Sequence, residues 1–74
     1  MGELELSQIL KDMYRNAPEG DSVAMIHLFG IKFSEQLKCK NISISNVVLL
    51  SQIPVSYKAE VAKGIRLSKY VLIK

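Results

Sequence analysis

The chain has little with which to build a catalytic or cross-linked site. Its 74 residues include one cysteine, Cys39, one histidine, His27, and two prolines. A lone cysteine forms no internal disulfide, which fits a reducing, cytoplasmic setting. Cys39 sits in a polar turn without an activating base, so a bland thiol is expected. His27 has no second ligand at metal spacing and is expected to be structural or at the surface. No apolar run is long enough to span a bilayer, and no early basic segment leads into one, so neither a membrane anchor nor a secretory signal is expected. The carboxylates are scattered, and no nucleophile is paired with a base. No glycine-rich loop could cradle a phosphate. These absences argue against an enzyme and against a bound cofactor. Acidic residues are scarce in one half only. Residues 38–74 hold a single acid, Glu60.

What is there is an uneven distribution of charge. Residues 1–37 carry Lys11, Arg15 and Lys32 against Glu3, Glu5, Asp12, Glu19, Asp21 and Glu35. Residues 38–74 carry Lys38, Lys40, Lys58, Lys63, Arg66, Lys69 and Lys74 against Glu60. The halves are therefore net −3 and net +6, which together make the +3 of the whole chain. A basic half opposite an acidic half suggests that one end faces a polyanion. Hydrophobic residues make up 49% of the chain, too many for disorder and generous for so small a domain. Oligomerisation would relieve that surplus.

The pattern is that of an all-α, compact four-helix domain spanning 1–74. Residues 4–16 repeat Leu6, Ile9, Leu10, Met13 and Tyr14 at helical spacing, with Gln8, Lys11, Asp12 and Arg15 opposite. Pro18 and Gly20 stop this helix. Asp21 or Ser22 caps a second helix from about 23 to 38. One of its faces is Val23, Ile26, Phe29, Phe33 and Leu37, with Gly30 among them to let another backbone approach. A second stripe is Ala24, Leu28 and Ile31, and Met25 adds to the apolar excess. Gly30 costs about 1 kcal/mol in a helix interior and marks a candidate break. Ser43 or Ser45 caps a short third helix ending near Gln52, and Ile53-Pro54 closes it. Ser56 caps a fourth helix from about Tyr57. There Tyr57, Val61, Ile65, Ser68 and Leu72 share one face, and Lys58, Lys63, Arg66 and Lys69 an adjoining arc. Gly64 either lies inside this helix or ends it. If it ends it, Tyr70-Val71-Leu72-Ile73 becomes a short terminal strand.

Two short helices about a tight turn, the second basic, outline a helix-turn-helix. Residues 43–66 resemble the helix-turn-helix of the phage-repressor and Cro class. Ser43 stands at the cap, and Val47, Val48 and Leu50 form the scaffold helix. Ser51-Gln52-Ile53-Pro54 occupies the turn, and Ser56 to Gly64 follow the second-helix pattern with Val61 as core anchor. The stretch Ala17 to Leu37 also looks like small bacterial proteins described only as helix-turn-helix-like. Three departures stand out. Gln52 replaces the usual turn glycine, Pro54 a capping Ser or Thr, and Val55 and Ala59 the polar groups that face base edges. The chain after Gly64 is also too short for that family's two further helices.

The resemblance implies a bacterial or phage protein of transcription regulation that binds duplex DNA, mainly through phosphate and with limited base readout. Ser56, Tyr57, Lys58, Glu60, Lys63, Arg66 and Lys69 are the expected contact residues, and Lys38, Lys40 and Lys74 could join them. Solvated surface lysines are the plainer reading of the same charges. A homodimer is expected, with Met25, Leu28 and Ile31 at its seam. The alternative is a protein-protein interaction module, an accessory subunit or small inhibitor, that docks through the helix-turn-helix and the apolar second helix. Tyr14, Phe29, Phe33 and Tyr57 are spaced as core residues, which leaves Tyr70 as a weak candidate for base stacking.

Overall fold

The computed structural model describes residues 1–73. Five α-helices follow one another: α1 (Glu3–Arg15), α2 (Ser22–Lys32), α3 (Ser34–Leu37), α4 (Ile44–Ser51) and α5 (Lys58–Leu67), with a 3₁₀ turn at Val55–Tyr57 leading into the last. Among the described residues there is no strand.

The α1 stripe behaves as its periodicity dictates. Leu6 and Leu10 are fully buried, and Ile9, Met13 and Tyr14 pack against them. α1 runs alongside α4 in the same direction, because Glu3 meets Ser43 at one end and Lys11 meets Gln52 at the other. The Ser43 amide donates to Glu3 Oε2 at 2.5 Å, while Ser43 Oγ accepts from the Asn46 amide at 3.2 Å. Two oxygens thus serve donors that the first turn of α4 leaves without helical partners.

The expected second helix is divided. It runs through Gly30 and bends at Phe33, whose φ of −109° and ψ of 23° leave the helical region. α3 then carries Leu37 into the core. Gly30 does not break the helix because it serves the helix crossing described below. Val23, placed by periodicity on the buried face, lies in the first turn of α2 and is exposed.

In α4 the buried face is Val47, Val48 and Ser51, with Ile44 packed against it. Leu50 falls off that face and is 47% exposed, so it is not part of the scaffold that the repressor resemblance implies. Of the two readings of Gly64 the structure has the first: it lies inside α5, which continues to Leu67. The chain then turns, with the Tyr70 and Val71 amides both donating to the Leu67 carbonyl. Residues 71–73 are irregular, not the alternative terminal strand, and among the described residues there is no strand to pair with them. Leu72, expected on the inner face of a longer helix, is 94% exposed. No described helix is long and apolar enough to cross a membrane.

The tightest packing is between α2 and α5. A Cβ built on Gly30 would stand 2.6 Å from the Val61 carbonyl oxygen, 2.8 Å from Gly64 Cα and 2.9 Å from the Ile65 nitrogen. Both positions must lack a side chain for the backbones to touch, so α5 is seated against the body of the domain at Gly64. Its opposite side faces outward.

Candidate nucleic-acid interface

The expected helix-turn-helix, residues 43–66, falls on α4, the turn 52–54, the 3₁₀ turn and α5. Where a glycine is usual, Gln52 itself adopts the left-handed conformation, with φ 66° and ψ 18°. Its amide donates to the Leu49 carbonyl at 3.2 Å, and its side-chain oxygen accepts from Lys11 Nζ at 2.8 Å. Ser51 is buried and donates to the Val48 carbonyl at 2.6 Å. Pro54 precedes the 3₁₀ turn, and its carbonyl accepts from the Tyr57 amide at 3.0 Å. Ser56 therefore lies inside the 3₁₀ turn and does not cap the last helix as its position suggests. With φ at −55°, Pro54 starts the turn two residues earlier.

Successive residues of a helix are spread by about 100°. From Lys58 onward, the outward half of α5 holds Lys58, Ala62, Arg66, Ala59 and Lys63, all of them exposed. Val55 and Ser56 are exposed in the turn that leads into it, and Lys69 is exposed just beyond the end of α5. Val61, Gly64, Ile65 and Glu60 take the inward half. Three of the expected basic contacts, Lys58, Lys63 and Arg66, thus share one outward arc with two small alanines between them, and Lys69 follows where the helix ends. Lys38 and Lys40 are exposed in the connection between α3 and α4. Lys74 lies outside the described residues.

Two expected contact residues point elsewhere. Tyr57 is half-buried, with its ring centroid 5.6 Å from that of Tyr14 on α1. Glu60 is turned toward α2, where its Oε1 accepts from His27 Nε2 at 2.7 Å. A carboxylate can only accept, so the imidazole carries its proton on Nε2 here. Lys63 Nζ adds a contact of 3.3 Å to Glu60 Oε2. The hydrogen bond from His27 lowers the Glu60 pKa, and Lys63 adds to the effect against partial desolvation. The one acid of the basic half therefore lies on the inner flank of α5, where it pairs with His27 and with Lys63 at the edge of the outward arc, and the arc itself holds no acidic residue. Nothing in the sequence joins His27 to Glu60, which are 33 residues apart. Only the α2–α5 crossing brings them together.

The expected seam residues lie on the outer side of α2. Leu28 is 38% exposed, and Met25 and Ile31 are half-buried. Ile31 also borders a groove of about 580 Å³ that Val71, Leu72 and Ile73 close from the other side.

No curated protein and no solved structure matches the chain. A family model described as an HTH-like domain matches residues 3–74. The match extends well beyond the α4–α5 pair and takes in the N-terminal helices that seat it. The chain belongs to this family of helix-turn-helix-like domains.

Proposed function

We propose that the protein is a non-catalytic DNA-binding domain, a regulator of transcription that lays α5 along duplex DNA in the manner of the phage-repressor class. The observation that supports this is the outward arc of α5. Lys58, Lys63 and Arg66 stand there with no acidic residue among them, and Glu60, which lies beside the arc, is shared between His27 and Lys63 on its inner flank. Ala59 and Ala62 leave the helix slim between them, as a helix entering a major groove must be. Contact is chiefly with phosphate, made by Lys58, Lys63, Arg66 and Lys69. Ser56, exposed in the 3₁₀ turn that leads into the helix, is the neutral polar side chain this reading assigns to a base edge.

The protein acts as a homodimer in this reading. Met25, Leu28 and Ile31 form the seam, and two copies of α5 meet successive turns of the duplex. A mobility shift with random duplex at two salt concentrations tests the reading, with the mass measured by size exclusion on the same sample. Binding that weakens steeply with salt supports it. Absence of binding at low salt rejects it.

A second reading is an interaction module with a protein partner, favoured by the exposure of Leu49 and Leu50 on α4 at 64% and 47%. It expects no DNA binding, and assembly that depends on those leucines.

A further inference from the structure

Given the duplex contact proposed above, on which this inference rests, the centre of the α5 arc has a chemistry of its own. Val55, Ala59 and Ala62 recur at intervals of four and three residues, so they share one face of the helix and of the 3₁₀ turn that opens it. All three are exposed, Val55 at 68%. The apolar strip continues onto α4 through Leu49, 64% exposed. There Val48, Leu49, Val55 and Lys58 border a hollow of about 240 Å³ whose other walls are Ser45 and Asn46. Lys58 and Lys63 flank the strip, and Arg66 continues it one turn on.

Positively charged edges around an apolar centre fit a partner with the reverse arrangement, anionic rails on either side of an apolar feature. In the major groove only one base presents such a feature. Thymine carries a 5-methyl group, whereas the other major-groove edges offer donors and acceptors that an alanine or valine cannot pair with. We propose that Val55, Ala59 and Ala62 read thymine methyl groups, so that this domain selects A·T-rich duplex through apolar contact while the flanking cations hold the phosphates. The small side chains let the α5 backbone come near the groove floor, and Val55, the largest of the three, is the principal contact. The missing polar readers, which look like a defect when α5 is compared with a repressor recognition helix, are then the specificity element. RNA, which lacks the methyl and hides its major groove, is selected against.

The test compares fluorescence anisotropy titrations of one A·T-rich duplex and its counterpart in which every thymine is replaced by uracil. The exchange removes the methyl groups and leaves base pairing and phosphate charge intact. The expected result is weaker binding to the uracil duplex, by about fourfold for each methyl buried, with the same salt dependence for both. Val55→Ser combined with Ala59→Ser and Ala62→Ser, all at exposed positions, should bind the two duplexes alike, at the affinity of the unaltered protein for the uracil form. Equal affinity of the unaltered protein for both duplexes, with salt-dependent binding retained, overturns the methyl assignment and leaves the phosphate contact standing. A thymine preference that survives the triple substitution overturns the assignment to these residues. Binding of neither duplex at low salt overturns the inference together with the reading beneath it.

Discussion

Gly30 and Gly64 stand back to back where α2 crosses α5. A Cβ on the first would approach Gly64 Cα to 2.8 Å, and one on the second would approach Gly30 Cα to 2.9 Å. The atoms in the way are backbone, which cannot swing aside. Gly30→Ala or Gly64→Ala should therefore cost about 3 kcal/mol despite the better helix propensity of alanine, which returns only about 1 kcal/mol. Urea unfolding measures this. Stability unchanged in both variants would mean that the helices do not meet here.

The left-handed turn at Gln52 makes the opposite forecast. A residue with a Cβ is held there at a cost of about 1 kcal/mol, partly offset by the contact with Lys11. Gln52→Gly should leave stability equal or raise it by up to about 1 kcal/mol. Gln52→Val should lower it, because a β-branched side chain fits this region worst. Thermal unfolding of the two variants, compared with the parent, reads the difference in sign.

The α4 cap is a third case. Ser43→Ala removes the hydroxyl that accepts from the Asn46 amide and should cost about 1 kcal/mol. Glu3→Gln weakens the second half of the same arrangement. The two changes share partners at one helix end, so their effects should not add. A double-mutant cycle in urea checks this.

Glu60 couples stability to pH. Its pKa is lowered in the folded protein, first by the hydrogen bond from His27. A carboxyl with a depressed folded pKa contributes stability that is complete above its unfolded value, near 4.3, and is lost as the pH falls toward the lower folded value. Glu60→Gln should flatten that acid limb in thermal unfolding followed across the acid range. Because Glu60 faces α2, the same substitution should not weaken DNA binding. It should tighten binding modestly by removing a negative charge beside Lys63. Weaker binding would place Glu60 at a base edge.

Much of this architecture is legible in local pattern. The α1 stripe, the Ser43 cap and the use of Gly30 for close approach follow from spacing and residue type, because each is decided within a few residues. Features that depend on distant parts of the chain are not legible. Gly64 is ambiguous until Gly30 lies against it. The His27–Glu60 pair has no local signature. The bend at Phe33 has no local signature, since a wheel of continuous helix already places Leu37 on the inner face. Ser56 fails as a cap because Pro54 starts the turn earlier, and Leu50 lies outside because so short a helix buries only a narrow face. The arc of Lys58, Lys63 and Arg66 is readable as periodicity, yet the turning of Glu60 toward His27 is not.

The most direct measurement is the slope of log affinity against log salt concentration for a random duplex. Four phosphate contacts, through Lys58, Lys63, Arg66 and Lys69, give a slope of about −3.6 per protomer. Lys58→Gln, Lys63→Gln and Arg66→Gln, all at exposed positions, should each reduce its magnitude by about 1. A slope near zero, or one that none of these substitutions changes, would contradict the account.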